Sequence, residues 1–362
     1  MNKPIIFIAL TLLLSCSNNQ TGNFSVSIEK SHSYIEGFME THKVPGMQIA
    51  VSHKGSLVWS QSFGYSNLEQ NILVRPETKF RIASVSKPVS AVLTARLYQN
   101  GIVDIDQAVN DKLACFQHIP ESFTVRQLFC HAAGIRHYLP KDTLTINFHH
   151  SIQTGLNILK DDSLLFTPGH KFHYSSYGYN IAAAYIEKQT NLKFEKLLKD
   201  SLFAPLNMNN SIADHPYQII PNRTSGYELN TQGEIINAHF FDNRYKITSG
   251  GILSCAEDLT KMCNELQYGT YLNNNSQQLL FTPYKYSGEN ESDTGFGWVV
   301  TKDERGNRLY GHLGGITGGC SAIMLYPDLE LSVIWLGNLD ADWSAEPTIT
   351  IANFFIDEIQ RK

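Results

Sequence analysis

The chain has 362 residues, 42% of them hydrophobic and 17% charged, enough apolar material for a large core in one big domain or two lobes and too much for a disordered polymer. A formal net charge of -5 leaves no basic stripe able to neutralise a phosphate backbone, so nucleic acid is not an expected partner. Apart from Cys16 there are cysteines at 115, 130, 255, 263 and 320, an odd set without C-x-x-C spacing, which predicts buried small hydrophobes rather than a disulfide framework or a zinc ribbon.

The first 15 residues place one lysine before an apolar run from Ile5 to Leu14, too short to span a bilayer but patterned as an export signal. Leu-Leu-Ser-Cys ending at Cys16 resembles the lipobox of bacterial lipoproteins. That resemblance implies cleavage before Cys16, lipid on its thiol, a polar tether over 16–24, and a periplasmic, outer-membrane or cell-surface anchor that does not cross the membrane. An ordinary signal peptide with an incidental cysteine is the other reading.

From Ser27 to His42, Ile28, Ile35, Phe38 and Met39 recur at helical intervals, and Val44-Pro45-Gly46 stops the segment. "MQIAVSH" and "SLVWSQSFGY" are strand-like runs around Lys54-Gly55, a predicted hairpin. "RIASVSKPVSAVLTARLYQNG" then opens a helix that ends at Gly101. Helical patches separated by loops follow to about Gly288: "TVRQLFCHAAG", "NIAAAYIEKQTN", "KFEKLLKDSLFAPLN" and "AEDLTKMCNELQYG". Strand signals return in "GFGWVVTKD", "RLYGHLGG", "CSAIMLYP" and "LELSVIWLGN", and a last helix is predicted with Ile349, Phe354, Phe355 and Ile359 on its apolar side. This order predicts an α+β fold in which one antiparallel sheet is assembled from both chain ends and flanked by the N- and C-terminal helices. Within a single domain over 25–362, the sheet lobe takes 25–84 and 295–362 and an inserted helical lobe takes 85–294, with a site between them.

Ser84 precedes Lys87 by one helical turn, so the two share a face at a helix start, where free N–H groups and the helix dipole favour an alkoxide. Ser27-Ile28-Glu29-Lys30 has the same spacing, and only context separates them: Ser27 follows the tether and has no partner motif attached. A serine hydroxyl needs a base, and Lys87 serves only if burial, a neighbouring charge or a relay partner helps it. Tyr174, ahead of the alanine-rich helix, is such a partner, although a tyrosine before a helix, taken alone, more often packs. His312-Leu313-Gly314-Gly315 ends a strand in glycines that let a substrate backbone approach; read alone it is more often a bend between strands.

In this order and spacing the three segments resemble the penicillin-recognising serine hydrolases, specifically the class C β-lactamase and D,D-carboxypeptidase branch and the mitochondrial-type serine β-lactamase-like proteins. Ser84-Val85-Ser86-Lys87 matches S-x-x-K, Tyr174-Ser175-Ser176 matches Y-x-N, and His312-Leu313-Gly314 matches K/H-T-G; "VPGMQIAV", "FGYSNLE", "QLFCHAAGIRHY", "TSGGILSCAEDL" and "GFGW" are similar to family blocks. The resemblance implies that Ser84 forms an acyl-enzyme, that Lys87 and Tyr174 share the proton transfers, and that the backbone N–H groups of Ser84 and Gly315 form the oxyanion hole. Ser176, His312, Leu313 and Gly314 would then contact substrate. Ser176 stands where the family has asparagine and His312 where class C enzymes have lysine, so amide positioning and the grip on a carboxylate are weakened. A peptidase or esterase is therefore expected over an efficient β-lactamase, with a slowly acylating sensor or scaffold as the alternative.

No cofactor is implied. The chain lacks G-x-S-x-G and H-E-x-x-H, and neither His149-His150 nor His170-x-x-His173 has a carboxylate arranged beside it, so no metal site is expected. Glu187-x-x-x-Asn191, similar to a class A deacylation motif, is read as solvated helix surface.

Overall fold

The computed structural model describes residues 24–144, 149–288, 292–340 and 345–361. The export signal, Cys16 and all of the tether but Phe24 lie outside the described residues.

In chain order, α1 (Ser25–His42) leads into β1 (Gly46–His53), β2 (Ser56–Asn67), β3 (Ile72–Leu73) and β4 (Phe80–Arg81). Next come α2 (Ser86–Gln99), α3 (Val125–Phe129), α4 (Ile152–Gly155), α5 (Ser176–Thr190) and α6 (Phe194–Leu198). Short strands β5 (Ile212–Ala213), β6 (Tyr227–Leu229), β7 (Ile235–Asn237) and β8 (Ile252–Ser254) surround α7 (Ile247–Gly250), and α8 (Ala256–Tyr268) and α9 (Asn274–Phe281) follow. The chain closes with β9 (Val299–Lys302), β10 (Arg308–Ile316), β11 (Gly319–Tyr326), β12 (Leu331–Gly337) and α10 (Ala345–Ile359).

The main sheet has the order β3-β2-β1-β12-β11-β10-β9, so its centre joins the two ends of the sequence, as expected. β1 pairs antiparallel with β12 in the register Met47↔Gly337 to His53↔Leu331. Lys54 and Gly55 both have positive φ (52° and 72°), the backbone that a two-residue hairpin with right-handed strand twist requires.

Both faces of the sheet are covered, which explains why its central strands read as almost continuous apolar runs rather than alternating ones. Met47, Ile49 and Val51 of β1 and Val333 and Trp335 of β12 pack with Ile35, Phe38, Ile351 and Phe355 of the two terminal helices. Ala50, Ile334 and Leu336 point the other way, into the core shared with the helical lobe. Packing rotates α10 from the expected face: Ile351, Ala352, Phe355 and Ile356 are buried while Ile349 is 42% exposed, because the helix has more apolar residues than one face of the sheet can cover. Helix α8, expected in the helical lobe, lies against β1 and β12, and Gln48 of β1 accepts a hydrogen bond from Ala256 N at its start (3.0 Å). The amphipathic pattern of α8 gave its type, but not which layer it would cover.

Candidate active site

Helix α2 is buried along nearly its whole length, from Ser86 to Ala95. Ser84 sits two residues before it, in a 3₁₀ turn over Ala83–Val85, and Pro88 falls in the first turn, where a missing N–H breaks no helical bond. Ala83 holds φ at +46°, a left-handed conformation that an alanine does not adopt without restraint from its surroundings. The restraint is visible on both sides. Ile82 N donates to Ile252 O (3.1 Å), and Ile82 O accepts from Ser321 Oγ of β11 (2.7 Å). Arg81 bonds Asp214 (3.0 Å) and the carbonyl of Thr317 (2.9 Å).

Strand β10 runs against this turn. At Gly314 an added Cβ would lie 3.0 Å from Ser84 N, 2.7 Å from Ile82 O and 2.4 Å from Ser321 Oγ, so only glycine lets the strand backbone come this close.

Lys87 is fully buried and its Nζ donates to Ser84 Oγ (3.0 Å) and to the carbonyl of Ser249 in α7 (2.9 Å). The rings of Tyr174 and Tyr179 lie 4.9 and 5.5 Å from it. Burial pushes the ammonium below its ordinary value, and the neighbouring phenol of Tyr174 restores only part of that loss. Tyr174 in turn donates to Ser84 Oγ (3.1 Å). Its own burial raises the phenol, but the charge of Lys87 and hydrogen bonds with Lys87, Ser84 and Ser176 outweigh burial and hold it below ordinary tyrosine. A lysine inclined to lose a proton and a tyrosine inclined to lose one thus meet at a single hydroxyl.

Tyr174 is placed by the chain that follows it. Ser175 caps α5, accepting from Gly178 N (3.1 Å) and donating to Arg136 O (2.7 Å). Ser175 N and Ser176 N donate to Nδ1 of His131 (3.1 Å) and His137 (3.2 Å), so both imidazoles must be unprotonated at that atom. Burial is the main cause that pushes His131 well below its ordinary value and His137 to about 4.

The cleft between the lobes has a volume of about 450 Å³ and is lined by Ser84, Tyr174 and Ser176, with Leu313, Gly314 and Gly315 along its strand edge. His312 is partly exposed beside it, its ring 6.4 Å from that of Tyr174; Nδ1 contacts the carbonyl of Leu313 (2.6 Å), and partial desolvation together with Lys87 holds the imidazole below its ordinary value. The structure therefore brings the serine, lysine and tyrosine to one point and sets the glycine strand along it.

A model of the family described as Beta-lactamase matches residues 32–352. The chain belongs to this family. Among curated relatives it is 26% identical to the human mitochondrial serine beta-lactamase-like protein LACTB, covering 87% of this chain and 74% of that protein. It is 24% identical to Penicillin-binding protein 4* of Bacillus subtilis, covering 87% and 72%. Among solved structures, the octameric penicillin-binding protein homologue from Pyrococcus abyssi superposes with a TM-score of 0.81 at 24% identity, covering 91% of this chain and 77% of that one.

Within this Beta-lactamase family chain the remaining motifs separate cleanly. Ser27 ties α1 to α10, whose apolar residues pack on the face of the sheet opposite the helical lobe. Glu187, expected on the solvated surface, is buried: it accepts from Phe194 N (3.0 Å) and Gln153 Nε2 (3.2 Å), a structural clamp between α5 and α6. His150 faces Asp242 (3.2 Å), and His170 faces Ser287 (3.1 Å). Among the described residues no cluster of His, Cys, Asp or Glu is arranged to hold a metal.

Four contributors escape the motif reading. His131 and His137 lie inside "QLFCHAAGIRHY", Ser249 lies inside "TSGGILSCAEDL", and Lys246 stands two residues before that block. Nothing in their spacing marks them, because Ser249 acts through its carbonyl and the histidines through long-range contacts with backbone N–H groups.

Proposed function

We propose that this chain is a serine hydrolase in which Ser84 attacks a carbonyl and forms an acyl-enzyme that water releases. The observation that carries this reading is the convergence on Ser84 Oγ of Lys87 Nζ at 3.0 Å and Tyr174 OH at 3.1 Å. Lys87 and Tyr174 take the hydroxyl proton as Ser84 attacks and return it to the leaving group. Backbone N–H groups of Ser84 and Gly315 receive the oxyanion, the arrangement that the approach of β10 at Gly314 supports. Ser176 offers a hydroxyl where an amide is usual and His312 is held neutral, both favouring peptide or ester substrates, D-amino-acid cell-wall peptides included, over efficient β-lactam turnover.

Incubation of residues 25–362, and of their Ser84→Ala variant, with a fluorophosphonate and with a penicillin, followed by intact mass, tests this reading. A Ser84-dependent adduct that forms and decays with penicillin is the expected sign of an acyl-enzyme cycle. Labelling by the fluorophosphonate alone keeps the nucleophile and redirects the substrate to esters and ordinary peptides. A penicillin adduct that persists indicates the sensor role, and no adduct with either reagent overturns the hydrolase reading.

We further propose that the protein is an exported lipoprotein anchored through Cys16, a reading supported by the sequence of residues 1–16. Membrane fractionation of the full chain and of Cys16→Ala tests it: the variant is expected in the soluble fraction, and equal partitioning of the two overturns the anchor.

A further inference from the structure

The cleft holds a second buried lysine that the acylation chemistry does not use. Lys246 lies just before α7, is only 6% exposed, and lines the same cavity as Ser84. Its stem runs beside Gly250, where an added Cβ would stand 3.7 Å from Lys246 Cε. Its Nζ lies 4.2 Å from the ring centre of Phe241, 5.4 Å from that of Tyr138 and 6.0 Å from that of Tyr245. Among the described residues no oxygen accepts a hydrogen bond from this ammonium and no carboxylate pairs with it.

The charged groups that act on Lys246 are Lys87, Arg81 and Asp214. Asp214 is engaged by Arg81 (3.0 Å), Arg223 (3.1 Å) and Asn243 (2.9 Å) and makes no ion pair with Lys246, whose charge it offsets less than burial, Lys87 and Arg81 oppose it. Burial first, then Lys87 and Arg81, push the ammonium down to about 7. Aromatic faces compensate a desolvated cation only in part, and three N–H donors remain to be satisfied. A methionine would fill the same aromatic box without that cost. His312, the residue standing where class C enzymes carry lysine, is neutral and does not supply a positive charge. Arg81 is tied to Asp214, which leaves two buried lysines as the amino groups of the cleft, one occupied with Ser84 and the other open to the cavity.

We infer that Lys246 is an anion-binding residue of this cleft, and that the substrates of the chain carry a carboxylate that pairs with its Nζ while the scissile carbonyl lies at Ser84. A single ammonium with no free guanidinium fork beside it matches a singly charged carboxylate better than a phosphate dianion. The inference rests on the hydrolase reading and narrows its substrate class to acyl compounds bearing an acid group.

The test compares wild type, Lys246→Met and Lys246→Arg on matched p-nitrophenyl esters whose acyl chains end either in a carboxylate or in its methyl ester, and on a second pair with the acid or its methyl ester on the phenol. Wild type is expected to favour the acid in one pair, and Lys246→Met to cut that kcat/KM ratio at least tenfold, with Lys246→Arg keeping part of it. Benzoate provides a readout that needs no turnover: it is expected to slow fluorophosphonate labelling of Ser84 in wild type and not in Lys246→Met. A loss shared equally by acid and neutral esters, as a purely structural role gives, or protection by benzoate that survives Lys246→Met, overturns the inference. Ser84 labelling without any acid preference or benzoate protection sinks this inference alone, whereas absence of Ser84 labelling in wild type sinks the hydrolase reading beneath it.

Discussion

Ser27 and Ser84 each precede a lysine by three residues, one in the first turn of α1 and the other in the 3₁₀ turn that leads into α2. Ser27 Oγ lies 2.6 Å from Glu358 Oε2 and 2.9 Å from Phe354 O, so its proton is committed to a carboxylate of the last helix. Lys30 is exposed, its ammonium 5.9 Å from the ring of Phe354. Ser84 instead meets a fully buried lysine whose charge is disfavoured and a tyrosine whose anion is favoured. The same four-residue spacing thus fastens two helices in one place and assembles a nucleophile in the other. What differs is the dielectric around the lysine and the presence of a second acid-base group.

The comparison can be broken at either tetrad. Ser84→Ala is expected to lower kcat by about 10³-fold or more while leaving the unfolding midpoint nearly unchanged, measured by turnover and chemical denaturation; residual full activity refutes the assignment. Lys87→Met is expected to abolish turnover by a similar factor and to leave stability equal or higher, because it removes a buried charge and leaves an apolar chain of like size. A large loss of stability in that variant shows that the lysine is held for folding, as Ser27 is. Gly314→Ala is expected to cost on the order of 10²-fold in kcat, the size of losing one oxyanion donor, since its Cβ would push β10 away from Ser84 N. Unaltered kinetics there would mean that the approach of the strand does not position the reaction.

Two smaller effects sharpen the contrast. His131 and His137 have folded pKa values below the unfolded 6.5, so their contribution to stability is intact above about 6.5 and is lost as pH falls toward 4, where the unfolded chain takes up protons that the folded chain refuses. Denaturant titrations between these values are expected to show falling stability, and His137→Phe to flatten part of the slope. An unchanged slope indicates that the imidazole does not hold Ser176 N. Ser27→Ala is expected to cost about 1–3 kcal/mol of stability, the range for orphaning a partly buried hydrogen-bond partner, without altering kcat; a fall in kcat would contradict its separation from the cleft.

The element types of the sheet were legible because strands such as "SVIWLG" are apolar through and through, and because Lys54-Gly55 supplies the positive φ of a hairpin. The three motifs were legible because their chemistry demands particular residue types at fixed positions around a helix start. Ile349 and Glu187 were misread for a shared reason. Helical periodicity says which residues lie on one side of a helix, but the neighbouring layers decide which side is covered, and α10 rests on the sheet through Ile351 and Phe355 while α5 is wrapped on nearly every side.

Local pattern was enough for an α+β chain closed by its two ends, a serine and a lysine one turn apart, and the tyrosine and glycine strand that belong with them. It took the assembled layers to strip Lys87 of solvent while Lys30 keeps it, to aim the Ser249 carbonyl and two histidines at their N–H donors, and to leave Lys246 in the cleft with no acceptor among the described residues. Burial and electrostatic environment are sums over residues distant in the chain, and no local pattern carries them.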